Sequence, residues 1–343
     1  DLKQGIVTAP FATAPDLDTG LKRSLLLTLS SPRFLYREPT PAGDGTLSPF
    51  TIASRLSFGL WDSLPDDQLA AAAREGQLAT PTQIRQQAER MLADRRTRAK
   101  LHDFLLSWLR VDQGPEITKD REHFPAFSPA VAAAMRTSLS LLLEEVVWSE
   151  AADFRRLFTH DEVFVDGRLA PLFGLSLPAD APFRSVRLDN GKRAGLLTHP
   201  YLLSVLAYND ATSPIHRGVF LARGVLGNVL KPPQEAVAPL AADLHPELTT
   251  RQRVDLQTRP VACQTCHTMI NPLGFALEDF DAIGRARTTE VRGGREQPID
   301  ASGGYQPRVG EPASFTGGRE LGGYLAVSRD AAEAFVQNLF HAV

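Results

Sequence analysis

Cysteine is nearly absent from this chain. Its 343 residues include two, Cys263 and Cys266, with three methionines and three tryptophans. Two thiols close at most one disulfide, which excludes a disulfide-stapled scaffold, and no second cysteine pair exists to complete a structural zinc site. A strong charge of either sign is also missing. The 37 Lys and Arg against 40 Asp and Glu leave a formal net charge of −3, with a pI near 6.3. That balance gives no reason to bind nucleic acid or an anionic membrane surface. No apolar run approaches the ~20 residues of a membrane helix. The longest, "LSLLLEEVVW" (139–148), is broken by Glu144 and Glu145, so no transmembrane segment is expected. There is no internal repeat, phosphate loop, catalytic triad or paired-carboxylate site. "GGRELGG" lacks the strand-to-helix setting that phosphate binding needs. The chain starts at Asp1 without a charged-then-apolar leader, which leaves two expectations: a removed signal peptide, or a piece of a longer protein.

What is present reads as helix. Hydrophobic residues make up 43% of the chain, ample for a sizeable core. "LDTGLKRSLLLTLSSP" has Leu21, Leu25, Leu26 and Leu29 at helical spacing and stops before Pro32. Ser48–Pro49, Thr80–Pro81 and Ser128–Pro129 are capped starts. The helices they open run to about 65, to a break near Asp94 and on to about 111, and to about 158. A shorter helix over 63–78 ends at Gly76. The stretch 161–195 is rich in Pro and Gly, with "FRSVRL" alternating like a strand. Helices are expected again over 196–210 and 213–230, then a proline-rich linker over 231–247 and a Thr-capped helix entering the cysteine pair. A hairpin or loop follows over 291–310, and two short helices end the chain. The resulting expectation is a mainly α fold in four parts: an N-terminal helical segment (1–46), a helical domain (47–178), a mostly helical domain carrying the cysteine pair (179–290), and a C-terminal hairpin and helices packing on it (291–343).

Cys263, Cys266 and His267 form C-x-x-C-H, the pattern of c-type haem attachment. Two thiols add across the two haem vinyl groups, whose separation fixes the gap, and the next residue lies under the iron as proximal ligand. Zinc would want four ligands, and a redox disulfide a thioredoxin-like βαβ setting; both remain as weaker alternatives. A backbone carbonyl near Pro272, in "NPLG", is placed to accept the Nδ1 proton of His267. Phe275, Leu277, Phe280 and Ile283 suit a haem wall or an ordinary core.

"CQTCHTMINPLGFALEDFDAIGRAR" resembles the haem-binding segment of a large family of secreted cytochrome-like proteins found in planctomycetes and myxobacteria. "SSPRFLYRE", "ASRLSFGLWDSLPDDQLAAAAREGQL", "RMLADRRTRAKLHDFLLSWL", "RAGLLTHPYLL" and "TSPIHRGVFLARGVLG" are similar to family blocks in the same order. The resemblance covers most of residues 24–340. It implies a secreted or periplasmic, helical protein with a cytochrome c-like domain and one covalent haem c, and no known reaction. Longer relatives often carry a further N-terminal haem module and a C-terminal segment, so a fragment and a compact member are both compatible with it.

The sixth iron ligand separates an electron carrier from a haem enzyme. His199, in an apolar setting at a helix start, is the leading candidate. An open iron, His216, Met91 and Met135 are the others, since Met269 is too close to His267 to reach the opposite haem face. His102, His123, His160, His245 and His341 read as surface or satisfied histidines. The haem propionates call for arginine, with Arg285 foremost among Arg193, Arg217, Arg285 and Arg287. Three functions follow: a monohaem electron carrier with a protein redox partner, a peroxidase-like enzyme with an open distal position, and a haem-bearing structural subunit.

Overall fold

The computed structural model describes residues 5, 8–35, 47–112, 117–187, 191–231 and 245–343. The proline-rich linker expected over 231–247 falls mostly outside them. The fold is mainly α, as the sequence indicates, and divides into two compact units, Asp1–Arg98 and Ala99–Val343. The sequence block 47–178 therefore spans the division.

The first unit holds α1 (Ala9–Ala12), α2 (Leu17–Leu29), α3 (Pro32–Leu35), α4 (Pro49–Trp61), α5 (Asp67–Arg74) and α6 (Pro81–Leu92). The caps read from sequence are in place. Ser48 Oγ accepts from Thr51 N, and Thr80 makes a reciprocal capping box with Gln83. A small core gathers Ala53, Trp61, Leu69, Leu78 and Met91. The predicted apolar face of α2 is not the face it buries. Leu21, Leu25, Leu26 and Leu29 are exposed, whereas Gly20 and Ser24 are buried. The ring of Phe11 lies over Gly20, where a side chain would collide with it. Close approach across small residues thus wins over the leucine stripe.

The second unit contains α7 (Arg95–Trp108, which starts just before the division), α8 (Pro129–Val147) and α9 (Arg156–Thr159). The antiparallel pair β1 (Glu162–Val165) and β2 (Arg184–Arg187) packs on α8; the sequence indicated only β2. Next come α10 (Pro200–Val205), α11 (Pro214–Val219), α12 (Thr250–Gln257) and α13 (Val261–Phe275). Two hairpins, β3–β4 (Thr289–Arg292, Arg295–Pro298) and β5–β6 (Ser302–Tyr305, Ala313–Thr316), precede α14 (Gly317–Val327) and α15 (Arg329–Ala342). One core runs through α7, α8, α10, α13 and α14. Phe335 of α15 closes one end of it, with its ring 4.6 Å from Phe154 and 5.1 Å from Trp108. A π turn (Phe220–Val225) extends α11, and the Trp108 indole donates to the Gly224 carbonyl at 2.8 Å.

The helix carrying the cysteine pair is seated by α11. A Cβ on Gly274 would lie 1.9 Å from the Pro214 carbonyl oxygen, and one on Gly218 2.0 Å from that of Ile270. Only glycine allows the two backbones to pass this closely. α13 also continues through Pro272, so "NPLG" is helical. Gly274→Ala is expected to destabilise the protein by about 1–3 kcal/mol or more, because the opposing atom is backbone and cannot rotate away. Gly323→Ala, where a Cβ meets nothing within 4 Å, is expected to gain up to about 1 kcal/mol. Denaturant unfolding of both variants checks the contrast.

Candidate functional site

α13 is half core and half surface. Ile270, Leu273, Gly274 and Phe275 are buried, while Val261, Ala262, Gln264 and Thr265 are exposed. Cys263, Cys266 and His267 lie between these limits and share one helix face, since positions i, i+3 and i+4 stack on a helix. Both cysteines are free thiols. Among the described residues, no group of three or more His, Cys, Asp or Glu side chains is arranged to hold a metal ion.

His267 is tethered from behind. Its Nδ1 lies 2.8 Å from Asn271 Oδ1, and Asn271 Nδ2 donates to Thr258 Oγ1 at 2.8 Å. His267 Nε2 has no hydrogen-bond partner among the described residues. The expected role of the carbonyl near Pro272 is corrected. The Pro272 carbonyl oxygen packs against Gly303 of β5, and the acceptor is the Asn271 side chain. The clue was the His-x-x-x-Asn spacing, which aligns two side chains once the helix is carried through Pro272. Two half-exposed thiols plus an imidazole tethered at Nδ1 and unengaged at Nε2 are a donor set that fits a covalently attached haem.

The sixth-ligand candidates lie elsewhere. His199 is 2% exposed and caps α10, with Nδ1 accepting from Tyr201 N at 3.2 Å. Its Nε2 is 3.1 Å from Ser138 Oγ, whose own proton goes to the Phe164 carbonyl at 2.5 Å. Ser138 can therefore only accept from His199, so one ring nitrogen donates, the other accepts, and neither is left for iron. Binding iron through His199 would require one of these hydrogen bonds to be given up. Met135 is fully buried in the same core, and Met91 in the core of the first unit. His216 is exposed, with its ring tilted against that of Tyr208 at 5.0 Å. It points away from α13, which α11 meets through Pro214 and Gly218.

Two of the proposed propionate partners are structural. Arg193 is buried between the rings of Phe173 and Phe280 and donates to the carbonyls of Thr198 and Gly284. Arg217 is wholly buried and bonds Glu278 Oε1 at 2.9 Å as well as the carbonyls of Leu277, Phe280 and Asp281. Arg287 binds the same Glu278 carboxylate at 3.0 Å. Arg285 is held by Asp281 at 2.7 Å and, with Arg253, Arg287 and Arg292, lines a cleft of about 980 Å³. That cleft reaches α12 at Val254 and Gln257 but is not lined by Cys263, Cys266 or His267. Phe275 is 2% exposed and packs as core, with the Arg251 guanidinium 4.4 Å from its ring. Asp300 caps a turn by accepting from Ser302 N at 2.9 Å.

Burial, and next the nearby Arg193 charge, hold His199 down to about 3. A folded-state value below the ordinary 6.5 means that the unfolded chain takes the proton first. Stability from this group is therefore intact above pH 6.5 and lost as pH falls toward 3, by about 2 kcal/mol between pH 6.5 and 4.5. Burial moves Asp279 the other way, up to about 6, so ionising it lowers stability as pH rises from about 4 to 6. The contribution of His199 is isolated by comparison with His199→Gln. The wild type is expected to lose stability relative to the variant as pH falls below 6.5, measured by denaturant unfolding across pH; parallel curves would refute it.

Residues 47–175 match the family PSD4, described as Protein of unknown function (DUF1592). Residues 193–290 match PSCyt3, described as Protein of unknown function (DUF1588). No curated protein and no solved structure matches the chain. The second match spans His199, the cysteine pair, His267, Asn271 and Arg285, and the two matches in this order make the chain similar to the planctomycete cytochrome-like families of unknown function.

Proposed function

We propose that the chain is a monohaem c-type cytochrome of an oxidising compartment, periplasmic or secreted, that exchanges electrons with a partner protein. The observation that carries this reading is the face of α13: two free thiols at i and i+3, and at i+4 an imidazole whose Nδ1 is tethered while Nε2 meets no hydrogen-bond partner among the described residues. When bound, the haem supplies one-electron iron chemistry. The chain supplies the rest. Cys263 and Cys266 are the attachment points, and His267 presents Nε2 as proximal ligand. The buried half of α13 fixes these three side chains to the core. The exposed turns at Val261–Thr265 leave that edge accessible to a partner surface.

A second reading, a peroxidase-like enzyme with an open distal position, is favoured by one observation. His199, Met91 and Met135, the buried candidates for a sixth ligand, are all committed to core packing or hydrogen bonding.

Expression with a c-type maturation system is expected to give one covalent haem per chain, read from the pyridine haemochrome spectrum. Cys263→Ser combined with Cys266→Ser is expected to abolish it. A low-spin spectrum unchanged by carbon monoxide or cyanide supports the carrier. A high-spin spectrum that shifts with either ligand overturns the carrier in favour of the enzyme. Absence of covalent haem overturns both.

A further inference from the structure

We infer that Asn271 is the positioning residue that fixes the tautomer of His267 and sets the electron-donating strength of its imidazole, an inference that rests on the haem-ligand reading of His267. The chain of reasoning begins at the end of α12. Thr258 Oγ1 has one proton, and it goes to the Val254 carbonyl at 2.8 Å. Toward Asn271, 2.8 Å away, Thr258 Oγ1 is therefore an acceptor only, and the Asn271 atom facing it is the amide nitrogen. The carboxamide oxygen must then face His267 Nδ1 at 2.8 Å. An amide oxygen carries no proton, so Nδ1 does, and the lone pair of His267 lies on Nε2. Asn271 is 7% exposed and Thr258 6%, so bulk water has little access to either link.

The identity of the acceptor matters for chemistry. A carboxylate in this place would draw the Nδ1 proton and make the imidazole a stronger donor, favouring the oxidised, more positive iron. A neutral amide draws it less and leaves the reduced state more favoured. Asn271 thus orients the ligand firmly while limiting its donor strength.

The test compares the haem-loaded wild type with Asn271→Asp and Thr258→Val by potentiometric titration, with the pyridine haemochrome spectrum as the loading control and thermal unfolding as the control for the fold. Asn271→Asp is expected to shift the ratio of oxidised to reduced protein at fixed potential about tenfold toward oxidised, a lowering of about 59 mV for one electron. Thr258→Val releases the amide and is expected to move the potential while leaving haem attachment intact. Loaded, folded variants that both keep the wild-type potential would overturn the inference. Should no covalent haem form, the functional reading fails by itself. The 15N spectrum of labelled histidine in the same full chain then decides the inference: an Nδ1–H tautomer at His267 sustains it, and an Nε2–H tautomer overturns it.

Discussion

The second unit is organised around one buried charge. Arg217 has no solvent exposure, yet its guanidinium meets Glu278 and three backbone carbonyls from the segment that leaves α13. Glu278 in turn accepts from Arg287 and from Thr212 Oγ1 at 2.6 Å. A buried ion pair of this kind adds little net stability over apolar packing, but losing one partner strands the other charge, which costs about 3–5 kcal/mol. It therefore acts as a strict geometric condition. The turn after α13 must return to α11, and the two helices must touch through Gly218 and Gly274. The position of every residue on α13 follows from that seat.

This seat explains how one helix serves two ends. The C-terminal half of α13 is packed against α11 and β5, while its first turns remain open. Stability and accessibility are thereby separated along a single rigid element. The cysteines and His267 stand where the change from surface to core occurs. The hydrogen bonds through Asn271 and Thr258 carry the rigidity of the core, by way of α12, out to the imidazole.

Much of this was legible in the sequence. Ser-Pro and Thr-Pro starts located helices because a capping hydroxyl and a proline at the first helical position act locally. The shared face of Cys263, Cys266 and His267 was legible because i, i+3 and i+4 stack on any helix. What was not legible shares a physical cause. The leucines of α2 have helical spacing, but Phe11 of α1 packs over Gly20, and Gly20 and Ser24 are the residues α2 buries. His199 sits among apolar residues at a helix start, which suits a metal ligand and a helix cap equally. Its commitment depends on Ser138, sixty-one residues away in the chain. Arg193 and Arg217 look like surface arginines near a motif until the carbonyls that satisfy them are brought together by folding.

The sequence by itself determined the mainly α class, most helix starts and the face shared by Cys263, Cys266 and His267, because each depends on residues within a turn or two of one another. Only the tertiary structure decided which polar side chains are free. It took both nitrogens of His199, buried Arg217 and turned Asn271 toward His267. Hydrogen-bond partners that are distant in the chain compete for the same few donors and acceptors, and only the assembled fold allocates them.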